Sequence, residues 1–341
     1  MKIIDLEAHF STESYAKHML SRKTPPRDEW VEGTLRGWHT TNLWAPRSPG
    51  FQKKTIDIEG QRLALMDAAG VDIQVLSLVL PGCEQFDAAE GTTVARKTND
   101  ELAEVINRHT DRFIGLAALA PQEPENAAKE LERCVKALGF RGANVNSHVG
   151  DEYLDEKKFW AVFEMAERLD VPVYIHPAFP SSLLIKPYEK YGVPLAGPPL
   201  GFVAEAALHA MRIIYGGIFD KFPRLKIILG HLGEGLGFWL ERIDFFWLKP
   251  WSKGDPTVPQ IANRPSYYIK NNFVFTTSGM SFMPALMATY MALGAEMITF
   301  GADYPFEDSK QSVDAVNLMP VCDIDKEKIF HLNAEKLFKL N

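Results

Sequence analysis

The chain has 341 residues, 46% of them hydrophobic, with a formal net charge of −7 and a pI near 5.8. That length supports a large core, and the acidic balance with no Lys/Arg block excludes an ordinary nucleic-acid-binding surface. No apolar run approaches the roughly 20 residues that a bilayer span needs, and Met1 leads into a strand without a signal-peptide pattern. Cys83, Cys134 and Cys322 are odd in number, far apart and without a C-x-x-C partner, which suits reduced thiols in a cytoplasmic protein.

The chain opens on Ile3-Ile4-Asp5-Leu6-Glu7-Ala8-His9, an apolar run ending in a carboxylate and an imidazole two residues apart. Side chains two apart on a strand share a side, so Glu7 and His9 aim at one point past the strand end. Residues 11–55 follow as an irregular stretch with Pro25, Pro26, Pro46, Pro49 and three tryptophans, Trp30, Trp38 and Trp44. Such a connection reads either as a lid or binding loop inserted after the first strand, or as a helical hairpin packed on a rim.

From residue 56 a rhythm of helices and short apolar strands sets in. Helical spacing over Gln61–Ala69 stops at Gly70, and Ile73–Leu80 reads as a buried strand. The alternation continues with a helix over Ala89–His109, a strand over Phe113–Ala118, a helix over Glu125–Leu138 and a strand over Gly142–Val145. Next come a helix over Phe159–Leu169 and a strand over Val173–Ile175, then a helix over Phe202–Ile214 and a strand over Lys226–Leu229. A helix over Glu234–Leu248 leads into a polar loop that runs to about Pro265. Strand Val274–Thr276, helix Met283–Leu293 and strand Met297–Phe300 complete the series, and Ser309–Leu318 and Asp325–Leu340 read as C-terminal helices in 305–341. Eight strands separated by helices predict an α/β chain folded as a closed (β/α)8 barrel, one domain over 1–341. The rival, an open doubly wound sheet, wants a Gly-rich phosphate turn after the first strand, and none follows Glu7.

Barrel chemistry sits where strands end. Here the first strand ends Glu7-Ala8-His9, the fifth at His176-Pro177, the sixth at Gly230-His231 and the eighth at Gly301-Ala302-Asp303. Any one of these alone reads equally well as a capping acid or a satisfied core histidine. Ionisable groups converging unpaired in a cavity are costly, and a divalent cation bound by Glu7, His9, His176 and Asp303 removes that cost.

With E-A-H on the first strand, H-P after the fifth, G-H-L-G-E-G after the sixth and A-D-Y-P-F-E after the eighth, the chain resembles the amidohydrolase superfamily. More closely it resembles the metal-dependent decarboxylase branch that handles hydroxybenzoates and aminocarboxymuconate semialdehyde. Further stretches carry the likeness, among them Asp111-Arg112-Phe113, Gly217-Ile218-Phe219-Asp220 and Asn333-Ala334-Glu335-Lys336. Two departures from the hydrolytic members stand out. The first motif begins with Glu7 rather than His, and the fourth strand ends Asn144-Val145-Asn146-Ser147 without the lysine that bridges two metals. The resemblance therefore implies one divalent metal, manganese or zinc, on Glu7, His9, His176 and Asp303.

It also implies a non-oxidative decarboxylation of a small ortho-hydroxylated aromatic carboxylate. Direct loss of CO2 leaves an aryl anion, so the accessible route protonates the ring carbon that bears the carboxylate and then expels CO2. Asp303 is the expected general acid. His231 is expected to meet substrate or set the proton on Asp303, with Glu234 orienting its imidazole across a helical i, i+3 turn; alternatively Glu234 is a first-turn acid favoured by the helix dipole. Arg62 is a candidate for the substrate carboxylate or a surface ion pair. Phe10 and Phe306 either wall the ring or pack the core, and Arg242 belongs to a subunit interface or reaches the site. His148 and His209 have no assigned role, and the branch suggests a homodimer or homotetramer. The alternatives are a lactone or amide hydrolase using metal-activated water and a catalytically dead, ligand-binding barrel.

Overall fold

The computed structural model describes residues 1–47 and 50–340. Its centre is eight parallel strands: β1 (Ile4–Phe10), β2 (Ile73–Leu78), β3 (Phe113–Gly115 and Ala117–Ala118), β4 (Ala143–Asn146), β5 (Val173–His176), β6 (Ile227–Leu229), β7 (Phe273–Thr276) and β8 (Ile298–Thr299). β1 pairs with β2 and β2 with the first piece of β3, while the second piece of β3 starts a continuous ladder through to β8. The ring closes between β8 and β1. There the Leu6 N–H donates to the Phe300 carbonyl at 2.9 Å, and the Asp303 N–H donates to the Glu7 carbonyl at 2.9 Å. The expected barrel is therefore present and closed, and the open sheet is excluded.

The helices between strands follow the sequence periodicity because each has one apolar stripe to bury. Ala88–Arg108 buries Ala95, Thr98, Asn99, Leu102 and Ala103, positions three and four apart. Inside the barrel, Ile4, Leu6, Val75, Leu116, Tyr174 and Ile228 form one cluster, closed below by Ala334 and Phe338 from the last helix, Asn333–Phe338. The predicted C-terminal helices thus plug the face opposite the strand ends. Beyond residue 56, helices that were not expected include Pro265–Asn272, where the polar loop gives way, and the short Lys186–Glu189, Val193–Ala196 and Ile218–Lys221.

β1 carries a bulge that decides what the site contains. Asp5 pairs with Gln74 and Ala8 with Leu76, so Leu6 and Glu7 together oppose the single residue Val75. Leu6 stays in the interior cluster, while Ala8 and Phe10 pack in the outer core. One extra residue reverses the in–out phase and turns Glu7 and His9 toward the barrel axis. It also corrects the reading of Phe10, which is fully buried in the outer core and forms no wall of a substrate cavity.

Residues 11–55 are neither irregular nor a helical hairpin. A helix (Glu13–Ser21) leads into a three-stranded antiparallel sheet of Arg27–Val31, Thr34–Trp38 and Trp44–Pro46, and a second helix (Phe51–Ile56) returns the chain to the barrel. The first hairpin turns on Glu32-Gly33, both at positive φ (49° and 77°), the geometry whose twist matches paired strands. The Trp38 and Trp44 rings meet across the second hairpin at 6.1 Å, with the Arg36 guanidinium 4.2 Å above Trp44. Pro49 lies outside the described residues.

Candidate metal centre

Four ligand-type side chains converge at the strand ends: Glu7 and His9 from the β1 bulge, His176 from the end of β5 and Asp303 from the segment after β8. One ligand atom of each lies within 4.8 Å of all the others. Glu7 Oε1 stands 3.4 Å from His176 Nε2, 3.7 Å from His231 Nε2 and 3.9 Å from His9 Nε2. His9 Nε2 lies 3.1 Å from Asp303 Oδ1. Ligands about 2.0–2.2 Å from a shared cation sit roughly 3.0–3.5 Å apart, a range that holds the Glu7–His176 and His9–Asp303 separations, with Glu7–His9 somewhat longer. Glu7 Oε1 is buried and has no hydrogen-bond partner among the described residues. A lone anionic oxygen facing imidazole nitrogens is the environment that a cation satisfies, so the residues fit a divalent metal.

The electrostatics agree with that fit. Burial holds His9 down to about 4 and lowers His176, so both rings are neutral at pH 7 with a lone pair to offer. His9 Nδ1 meets Ser77 Oγ at 3.1 Å, which turns Nε2 toward the centre. Burial alone would raise Glu7, but the neighbouring imidazoles of His231, His176 and His9 outweigh it and hold the group anionic. Asp303 goes the other way, pushed up to about 7 by burial and then by the charge of Glu7. Two carboxylates in one site thus have opposed shifts.

His231 faces the same centre. Its Nδ1 is 2.7 Å from Glu234 Oε1, a contact that holds the orientation of the ring. Burial would lower His231, yet the Glu234 and Glu7 carboxylates more than reverse this and push it up to about 10. The local backbone differs from the expected helical turn. His231, Leu232, Gly233 and Glu234 all have positive φ (50°, 57°, 74° and 52°), a left-handed turn, and the following helix starts only at Leu236. Asp303 is also left-handed (φ 63°). Non-glycine residues held there cost about 1–3 kcal/mol each and cluster at functional sites. Opposite them Gly279 leaves room, since a Cβ there would lie 3.1 Å from the His231 ring and 3.8 Å from Asp303 Oδ2.

The remaining sequence candidates divide. Phe306 is half exposed, with its ring 5.7 Å from that of His9 and 5.6 Å from that of Phe51 on the rim segment. Arg62 does not reach a cavity. It is fully buried, donates to the His9 carbonyl at 2.5 Å and to Gln74 Oε1 at 3.3 Å, and stacks 4.4 Å from the Tyr304 ring. Arg242 is exposed on Leu236–Trp247, its guanidinium 4.9 Å over Phe246. His209 is a buried acceptor for the Leu154 N–H, and His148 is bound to the Phe179 carbonyl.

Sequence reasoning missed Asp5, Gln74, Ser77, Tyr174, Thr276 and Ser278. Asp5 accepts from the N–H groups of Glu7 (3.1 Å) and Ala302 (2.9 Å) and from Gln74 Nε2 (3.0 Å), tying the β1 bulge to the segment that carries Asp303. The strand alternation could have flagged Ser77 and Tyr174, because each is polar and lies two residues from an interior position.

Comparison with known proteins agrees with this geometry. The amidohydrolase family pattern matches residues 4–340. A γ-resorcylate decarboxylase of Polaromonas sp. is 37% identical over 99% of this chain and 98% of its own. The crystal structure of 5-carboxyvanillate decarboxylase from Sphingomonas paucimobilis superposes with a TM-score of 0.90 at 32% identity, covering 100% of this chain and 99% of that one. A dihydroxybenzoic acid decarboxylase from Polaromonas sp., crystallised with manganese and 2-nitroresorcinol, gives 0.87 at 36% identity over 100% and 97% of the two chains. The chain belongs to the amidohydrolase family.

Proposed function

We propose that the chain is a non-oxidative decarboxylase of an ortho-hydroxylated benzoate, working with one divalent cation on Glu7, His9, His176 and Asp303. The observation that carries the reading is the buried, unpaired Glu7 Oε1 facing three imidazole nitrogens, with Asp303 held up to about 7 beside them. Manganese, present in the similar Polaromonas structure, is the preferred ion, with zinc the other. When bound, the cation would supply Lewis-acid chemistry, drawing charge from a substrate whose carboxylate and ortho oxygen are suited to chelating it.

The chain's own residues supply the proton traffic. Asp303, entering protonated, delivers its proton to the ring carbon that bears the carboxylate, helped by electron donation from the ortho oxygen. The ring carbon–carboxylate bond then breaks, CO2 leaves, the electron pair of that bond restores the aromatic ring, and Asp303 regains a proton from solvent. His231, fixed by Glu234, faces the substrate oxygens as a hydrogen-bond donor, and Phe306 walls the ring. The rim segment 11–55, bringing Phe51 against Phe306, acts as a lid on one domain spanning 1–341. The free cysteines suit the cytoplasm, and among the described residues no helix is long and apolar enough to cross a membrane.

Manganese-loaded protein is expected to release CO2 from at least one acid among γ-resorcylate, 2,3-dihydroxybenzoate, salicylate, orsellinate, 5-carboxyvanillate and the dihydroxyphthalates. A silent panel, with turnover of a lactone or ester instead, replaces the decarboxylase with the hydrolase. The helix Leu236–Trp247 exposes Phe238, Trp239, Phe245 and Phe246 beside Arg242, a patch that a homodimer or homotetramer covers. Light scattering is expected to give two or four chains for the wild type and fewer for Phe238→Asp; a monomeric wild type removes this assembly.

A further inference from the structure

The second oxygen of Glu7 is as crowded as the first is bare. The Tyr174 hydroxyl donates to Oε2, Thr276 Oγ1 lies 2.9 Å from it, and Ser278 Oγ is in close contact with it as well. These three side chains come from β5, from the end of β7 and from just beyond it, and each is essentially without solvent exposure. Ser278 Oγ also accepts the His231 N–H at 3.3 Å, so the group that grips Glu7 also anchors the residue facing it. Space for it is kept by Gly230, where a Cβ would lie 3.0 Å from the Tyr174 hydroxyl and 3.2 Å from Glu7 Oε2.

We propose that Tyr174, Thr276 and Ser278 form a hydroxyl cradle that claims one oxygen of Glu7, forces the other to act as a single-atom ligand, and so sets the affinity of the site for its metal. The inference rests on the reading of Glu7 as a ligand. A carboxylate oxygen offers about two lone-pair positions, and three converging hydroxyls saturate them. Oε2 is then closed to a cation, and two-oxygen chelation by Glu7 is excluded. The side chain is held in one rotamer from three directions, so ligation requires no ordering of Glu7. All three are positioning residues, since none lies at the metal-facing oxygen.

A purely structural cradle would cost folding stability when trimmed and leave metal affinity alone. The deciding measurement is the dissociation constant for Mn(II), by chelator competition on metal-stripped full-length protein without substrate. It covers wild type, Ser278→Ala, Thr276→Val, the double variant and Thr276→Ser, with the melting temperature of each metal-free protein alongside. Outer-shell partners of metal ligands typically contribute 10–100-fold in affinity, so the double variant is expected to bind Mn(II) about 10–100-fold more weakly. Thr276→Ser, which keeps the hydroxyl, is expected to bind as wild type does. If the wild type binds tightly and the double variant stays within about threefold of it, the cradle has no such role and the inference is overturned while Glu7 remains a ligand. A wild type that takes up no stoichiometric Mn(II) removes the metal reading itself. Should the double variant fail to fold, Thr276→Val and Tyr174→Phe are read by the same criterion.

Discussion

Asp303→Asn is expected to lower kcat for CO2 release by about 10²–10⁴-fold, the usual worth of a positioned general acid, while the protein keeps its metal. The amide matches the carboxylate in shape and still offers an oxygen to a cation, but it cannot carry a transferable proton. Metal content measured on the same sample separates a lost proton from a lost ligand. The rival proton source is His231, which the Glu234 and Glu7 carboxylates push up to about 10 despite burial, so it is protonated at neutral pH. The two assignments share a sign and differ in place. A general acid works only while protonated, so activity falls as pH rises through its pKa. With Asp303 as the acid, that fall lies at or below about 7, because a cation beside it pulls the value down. With His231 as the acid it lies at higher pH, at or below about 10 because the same cation offsets the Glu7 charge that holds the imidazole up, and His231→Gln rather than Asp303→Asn abolishes turnover. An Asp303→Asn protein that retains its metal and stays within about tenfold of wild-type kcat would sink the assignment.

Much of this arrangement is legible in residue order, and the part that is not has a physical cause. Eight apolar strands alternating with helices specify the barrel, and ligand-type residues at four strand ends specify one face. Neither depends on detailed packing. The β1 bulge is different, because it exists only in the pairing of Asp5–Ala8 with Gln74–Leu76, and strict alternation misplaces Phe10 without it. Thr276 and Ser278 read along the chain as an ordinary strand end and the loop after it, and their convergence with Tyr174 on Glu7 comes from strands far from β1 in sequence and not paired with it. The left-handed run His231–Glu234 was hidden for another reason. An i, i+3 pair before a helix looks like its first turn whatever the sign of φ, and the glycines at 230, 233 and 235 were the only local hint. The rim sheet could have been found, since Glu32-Gly33 sits between two strand-forming runs.

Arg62→Ala is expected to cost about 3–5 kcal/mol of stability, the scale for breaking a buried charged network by removing one member. That is a large share of the roughly 5–15 kcal/mol that holds a typical domain together. Burial lowers the guanidinium only to about 10, so it is charged at neutral pH and must be satisfied internally. It binds the His9 carbonyl directly and reaches Asp5 through Gln74, while Asp5 holds the N–H groups of Glu7 and Ala302. Truncation leaves a cavity, an unpaired carbonyl on the strand that carries two ligands, and a Gln74 amide with no fixed orientation. Arg62→Met fills most of the volume and isolates the polar part, for which about 1–3 kcal/mol is expected. Urea unfolding of the metal-free proteins gives both numbers as midpoint shifts at unchanged slope. The same variants decide between positioning and substrate contact. An arginine that meets substrate raises KM and leaves the urea midpoint where it was. An arginine that braces the β1 bulge lowers the midpoint and weakens Mn(II) binding in the absence of substrate, because Glu7 and His9 are held in place from behind.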